Sequence, residues 1–373
     1  MTRRRTLLTL TTTVLAPAAA LTLVVGLVAS GSTGQTAQPA PAGTPATRSP
    51  GGLVPAASRS ADIRVATFNI QSAVLDRTHG SQRPWKVRRS KVIGEILHEH
   101  VDVIGVQEAA PGRSQPHRYV AGANQYLDLR NGLNRAGGHY RLSSAAGYNC
   151  HNGRTAYHCH RQDRDASNGD RILYNSHKLQ LLGRNALAYS HRTKRNAHPF
   201  LAWARFRVRS NGHQFRFFTT HLDPRNRSVR KSQWTQMIHQ INRLKDGRPI
   251  ISVGDFNTQK FDRMAHSMFP AMKRSGYGEV LNERYRVNPN RHVRARHRKN
   301  AWISSVNHLH TNVRLFGYEG SRHKTGNSID HIFASNSLRV LSYKLVLDYS
   351  PRTLRVRGVL PSDHNMVCAT IAI

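Results

Sequence analysis

Residues 249–258, Pro-Ile-Ile-Ser-Val-Gly-Asp-Phe-Asn-Thr, constrain what this chain can fold into more than any other stretch. Pro249 to Val253 is a short apolar run with β-branched residues, the pattern of a buried strand. Gly254 is expected to break it. In extended chain Asp255 and Asn257 would share one face while Phe256 turns back toward the core. A carboxylate and a carboxamide presented together at a strand end can hold a water and a phosphate oxygen. The plain alternative is a turn, since Gly, Asp and Asn are turn formers. Whether other strands end in the same way decides between the two.

Several do. Ile63 to Asn69 alternates apolar and polar residues and delivers Asn69 at its tip. Trp85 to His100 has apolar residues spaced for one helical face, with Arg and Lys opposite. Val101 to Glu108 reads as a strand ending in Gln107-Glu108. Residues 111–170 are rich in Gly, Asn, Arg and His and carry no clear periodicity. Arg171–Tyr174 and Leu179–Leu182 read as paired strands. Phe200–Val208 and Gln214–His221 alternate on either side of Asn211-Gly212, a strong hairpin signal. Ser228 to Lys245 is an amphipathic helix that feeds the strand at 249–253. Ser328 to Ala334 carries Asp330, Val340 to Leu347 is a further strand, and Pro361-Ser-Asp363-His364 precedes the closing strand Met366–Ile371.

Composition bounds the partners. The 373 residues include 56 Lys and Arg against 20 Asp and Glu, a formal net charge of +36, and 45 of the 56 are Arg. Such a field favours nucleic acid first, anionic membrane or cell-wall surfaces second, and Arg suits bidentate phosphate contacts. Compositional bias with solubility is the bland reading. An Arg-rich loop at 284–299 is a candidate phosphate-backbone contact.

Residues 1–30 pair Arg3-Arg4-Arg5 with a long apolar run and a small-residue site before Gly31, the layout of an export signal. An uncleaved anchor is the alternative. Residues 31–60 are Ala, Pro, Thr, Gly and Ser with two Arg and no acid, expected to be a disordered linker. Residues 61–373 are read as one domain. Cys150 and Cys159 are expected to form a local disulfide in an oxidising compartment, with a zinc site using His151, His158 or His160 as the rival. Cys368 lies in an apolar run and is expected to be a buried free thiol.

Asn69, Glu108, His221, Asp255 with Asn257, Asp330, and Asp363 with His364 therefore sit at or near the ends of six strands. Six independent turns explain this poorly. Carboxylates and amides without a Cys/His cluster suit a hard ion, Mg²⁺ or Mn²⁺. In the order Phe-Asn, Gln-Glu, Thr-His, Gly-Asp-Phe-Asn, Ile-Asp-His, Ser-Asp-His, the chain resembles the endonuclease/exonuclease/phosphatase superfamily over nearly the whole domain.

The resemblance implies an α/β (α+β) four-layer sandwich, two mostly antiparallel sheets face to face with helices outside, and a divalent-metal phosphoesterase. It implies Glu108 as principal metal ligand, with Asn69 and Asp363 assisting. Asp255 would align or activate water, Asn257 would bind phosphate, and His364 would be oriented by Asp330. His221 would bind phosphate or protonate the leaving oxygen. Asp255 and His364 both stand as candidates for the general base. No partner carboxylate for His221 stands out, Asp170-Arg171 is a candidate for a phosphate-contacting strand, and Ala110 stands where related nucleases often carry a basic residue.

The leading expectation is a secreted, monomeric nuclease acting on DNA or RNA. Its rivals are a sphingomyelinase-type phospholipid phosphodiesterase or phosphomonoesterase, and a catalytically dead polyanion-binding protein.

Overall fold

A computed structural model describes residues 60–76, 81–110, 118–144, 169–193, 200–281, 297–317 and 325–373. The expected export segment, nearly all of the linker, both Cys150 and Cys159, the three histidines near them and residues 284–296 of the Arg-rich loop lie outside the described residues. Cys368 is a buried free thiol.

The strands in chain order are β1 (Asp62–Asn69), β2 (Val103–Gln107), β3 (Tyr140–Leu142), β4 (Arg171–Asn175), β5 (Leu179–Ala188), β6 (Phe200–Val208), β7 (Gln214–His221) and β8 (Ile250–Asp255). They continue as β9 (Tyr277–Glu279), β10 (Arg298–Lys299), β11 (Asp330–Ser335), β12 (Arg339–Leu345), β13 (Tyr349–Ser350), β14 (Arg355–Val356) and β15 (Val367–Ala372). The helices are α1 (Trp85–His98), α2 (Gln125–Arg135), α3 (Arg227–Arg243) and α4 (Ala265–Arg274). Seven strands form one sheet, β10-β12-β15-β1-β2-β4-β3, and six form the other, β5-β6-β7-β8-β11-β9. Both are mixed and largely antiparallel, with parallel pairs at β1–β2, β10–β12 and β7–β8.

Strand parity builds the layers. Ile63 and Val65 of β1, Val103 of β2, Phe215 and Phe217 of β7, Ile251 and Val253 of β8, and Ile332 of β11 share one core between the sheets. The intervening residues Ala66, Phe68, Ile104 and Val106 face a second core with α1 and α2. Phe218, Ile250 and Phe333 face a third with α3 and α4. Helix, sheet, sheet, helix is the four-layer sandwich of the expectation. Side-chain period two fixes the consequence. Asn69, His221, Asp255 and Asp330 have the parity of the inter-sheet residues, so the fold delivers all four to one seam.

The sheets approach closely near that seam. Gly105 faces Thr219, and a Cβ at Gly105 would collide with the Thr219 side chain. Thr67 donates its hydroxyl to Gln107 Oε1 at 3.2 Å, and Gln107 Nε2 donates to Thr219 Oγ1 at 2.9 Å. These buried polar groups are satisfied across the sheets, which fixes their relative register.

Gly254 does not end its strand. It lies inside β8 with φ +154, and a Cβ there would strike Thr220 O, so glycine permits a close pass against β7 while pairing runs on to Asp255. Nor do Asp255 and Asn257 share a face by simple alternation. Asn257 has φ +47, and its N–H donates to Asp255 Oδ1 at 2.9 Å, an Asx turn that begins where the strand stops.

Candidate active site

Asp255 is the hub. It is almost fully buried, and its register partners are His221 on β7 and Asp330 on β11. Asp255 Oδ2 accepts Asn69 Nδ2 at 3.1 Å, and it lies 3.4 Å from His221 Nε2 and 3.8 Å from His364 Nε2. A single carboxylate oxygen thus collects an amide and two imidazoles from both sheets.

Asn69 also donates to Glu108 Oε1 at 3.1 Å, so its amide bridges two carboxylates. Its own oxygen is taken by the Gln71 N–H at 3.0 Å, which fixes the orientation. Glu108 stands one residue beyond β2 with φ +60, and its Oε2 accepts the Ser72 N–H at 3.0 Å. A left-handed glutamate costs about 1 kcal/mol or more. The left-handed turn is where the Glu108 carboxylate meets both Asn69 and the Ser72 N–H.

His364 leans on Asp330, with Nδ1 to Oδ2 at 2.8 Å. Both groups are buried, and Asp330 Oδ1 has no hydrogen-bond partner. Burial alone would lower the His364 imidazolium, but Asp330, Asp255 and Asp363 together hold it well above the ordinary histidine range. Burial likewise opposes the charged His221, and Asp255, Glu108 and Asp170 outweigh it and raise that group too. For Asp330, burial pushes the carboxyl up while His364 pulls against it.

Asp363 is half-buried beside the seam, in Coulombic reach of His364. Ser362 fastens this loop to β1 by donating its hydroxyl to Asn69 O at 2.7 Å and accepting the His364 N–H at 3.2 Å. Asn257 donates Nδ2 to Leu222 O at 2.9 Å, so the β8 turn is tied to the residue after His221. Every predicted site residue therefore falls in one neighbourhood at one end of the sheets.

Two contributors go beyond the sequence reading, which places Asp170 only within a candidate phosphate-contacting strand and gives Arg88 no role. Asp170, buried just before β4, acts electrostatically on His221 after Asp255 and Glu108; burial pushes it up to about 7 against the pull of His221. Arg88 of α1 is buried and donates to Ile70 O, to Gln71 O at 2.6 Å and to Pro361 O at 3.1 Å. It joins the chain after Asn69 to the chain before Asp363. In sequence it is one more Arg in a basic helix, whose spacing gives no hint of these contacts.

The donor chemistry fits a hard divalent ion. Glu108 and Asp255 offer carboxylate oxygens on either side of Asn69, and no cysteine lies among them. Ligand atoms of Asp255, Asp330 and His364 also lie within 4.8 Å of one another. In that trio, however, Asp330 and His364 spend their facing atoms on each other. Glu108 is the better oxygen donor for such an ion, since Asp255 Oδ2 already faces Asn69, His221 and His364.

The match at the level of the family is direct. A sequence model of the Endonuclease/Exonuclease/phosphatase family covers residues 66–364. The chain belongs to that family, whose members hydrolyse phosphoester bonds. Among solved structures, an endonuclease/exonuclease/phosphatase family protein from Bacteroides thetaiotaomicron is similar at TM-score 0.57 and 18% identity, over 84% of this chain and 99% of that one. A mannosyl-6-phosphatase from the same organism is similar at TM-score 0.54 and 16% identity, over 83% and 100%. The human nocturnin catalytic domain with bound sulfate follows at 0.51 and 18%, over 83% and 94%. These likenesses carry the fold. Comparison with curated proteins gives no sequence match.

Proposed function

We propose that this protein is an exported, monomeric, divalent-ion-dependent nuclease that hydrolyses DNA or RNA. The observation that carries the reading is the convergence of His221, His364 and Asn69 on Asp255 Oδ2, in a chain of net charge +36.

The chain's own groups divide the work. Asp255 accepts the proton of the attacking water, whose oxygen bonds to phosphorus in line as the bond to the leaving oxygen breaks. His364 faces carboxylates through both ring nitrogens, which suits it to hold protons rather than to remove them. His364 or His221 then returns a proton to the leaving oxygen, while Asn257 and the other imidazolium hold phosphoryl oxygens. A Mg²⁺ or Mn²⁺ ion held by Glu108, with Asn69 and Asp363 nearby, would neutralise charge on the phosphoryl group.

The test is a panel of double-stranded DNA, single-stranded DNA, RNA, sphingomyelin and a sugar phosphate, each with Mg²⁺ and with chelator. Polynucleotide cleavage is expected, abolished by chelation and reduced at least about a thousandfold in Asp255→Asn. Intact polynucleotides alongside hydrolysed lipid or sugar phosphate would sink the nuclease reading.

A further inference from the structure

Asp330 and His331 are neighbours on β11, so they face opposite sides of their sheet. Asp330 turns into the catalytic seam. His331 is buried on the helix side, its ring centroid 4.9 Å from that of Phe269 and 5.8 Å from that of Phe256. Both phenylalanines belong to the apolar core under α3 and α4. Charge in such a place calls for a reason, because apolar side chains of similar volume often stabilise a core as well as a buried ion pair does. Yet three ionisable groups meet there. His331 Nδ1 lies 3.6 Å from Glu279 Oε1, and Glu279 Oε2 lies 3.5 Å from Lys260 Nζ. Lys260 Nζ also donates to Leu281 O at 2.8 Å. Lys260 and Glu279 are 8% exposed and His331 only 1%. Burial pushes the Glu279 carboxyl up, but Lys260 and His331 outweigh it and hold it below the usual carboxylate range.

The far nitrogen of the ring shows what the group serves. His331 Nε2 lies 3.0 Å from Thr258 O, and a carbonyl only accepts, so this nitrogen carries the hydrogen. Thr258 directly follows Asn257. Its hydroxyl accepts Trp234 Nε1 at 3.0 Å and donates to Phe256 O at 2.9 Å, so Thr258 is held through its carbonyl and its side chain alike. Asn257 needs that support. At φ +47 it stands in the left-handed region, which a residue other than glycine keeps only where its surroundings fix it. The bonds to Asp255 Oδ1 and Leu222 O fasten the front of this turn, and His331 fastens its back.

We propose that His331, seated by Glu279 and Lys260, is a positioning residue whose hydrogen bond to Thr258 O holds the turn that presents Asn257 to the substrate phosphate. The proposal rests on the reading of Asn257 as a phosphate-holding group. It does not depend on a polynucleotide substrate, so it and the nuclease reading can fail separately. A cluster that served the fold alone would leave the kinetics of folded protein unchanged.

The test is steady-state hydrolysis by the full chain, with Mg²⁺, of the small soluble ester bis(p-nitrophenyl) phosphate, or of p-nitrophenyl phosphate if the wild type cleaves only monoesters. His331→Leu removes both polar contacts of the ring. It should lower kcat/KM about thirtyfold and raise KM at least about threefold in protein that is folded by circular dichroism. His331→Gln can return an N–H to Thr258 O and should recover to within about threefold of the wild type. Glu279→Gln keeps the shape but removes the charge that seats the ring, and should lose about fivefold. In an Asn257→Ala background, adding His331→Leu should cost less than about twofold, because the group it positions is gone. Wild-type kcat/KM in His331→Leu, or in Glu279→Gln where His331→Leu does not fold, overturns the proposal. So does His331→Gln performing no better than His331→Leu, or full additivity of His331→Leu with Asn257→Ala.

Discussion

Both histidines in the seam are held by buried carboxylates: Asp330 sits 2.8 Å from His364, while Asp255, at 3.4 Å, and Asp170 act on His221. A carboxylate behind an imidazole fixes its tautomer and stabilises its protonated form. Asp330→Asn should therefore lower kcat about 10²- to 10⁴-fold with the fold intact by circular dichroism. Asp170→Asn should cost roughly tenfold and also change the pH profile. Asp170 lies at about 7, so its ionised form, the one that supports a charged His221, gains population as pH rises through neutrality. The rising limb near pH 7 should flatten in Asp170→Asn; an unaltered limb would remove Asp170 from the mechanism. Asp330 was legible because Ile-Asp-His and Ser-Asp-His are local motifs. Asp170 was not, because it acts on His221 only through the packing of one sheet against the other, which no local spacing records.

At the scale of elements, the strands were read well where period-two alternation met a clear stop. The hairpin predicted at 200–208 and 214–221 is β6 and β7 at those bounds. The elements that escaped carry polar or breaking residues inside them. In α2, buried Gln125, Asp128 and Gly132 interrupt the apolar face formed by Tyr126, Leu129 and Leu133. Pro270 lies within α4. Gly254 was misread as a strand stop because glycine's two uses, ending a strand and admitting a close neighbour, look alike in sequence. The site also depends on how elements are fastened, and Arg88 is the clearest case. Its guanidinium serves three backbone carbonyls that flank Asn69 and Asp363, and Arg88→Met would leave all three without that donor. The expected loss is about 3 kcal/mol or more, read as a lower urea midpoint. Because two site segments loosen together, kcat should fall even in well-folded protein at low temperature. A destabilised variant with full kcat would show Arg88 to be a support of the fold alone.

The whole molecule adds a long-range term that no pair of residues contains. A formal charge of +36 on 373 residues makes the first encounter with any polyanion electrostatic. Sequence alone made this term legible, since charge can be counted, whereas its distribution over the seam depends on the fold. If the catalytic seam acts on nucleic acid, binding and chemistry should separate in their response to salt. Engaging six or more phosphates would release their counterions, so oligonucleotide affinity should drop about a thousandfold between 50 and 200 mM salt. Turnover of bis(p-nitrophenyl) phosphate presents one phosphorus to buried groups that bulk ions screen weakly, and it should change by no more than about threefold. Fluorescence anisotropy across the salt series, with chelator to hold the substrate intact, gives the first slope, and a colorimetric rate gives the second. Parallel slopes would mean that the basic surface and the seam engage one and the same phosphate. A flat binding slope would mean that the charge serves a partner other than nucleic acid.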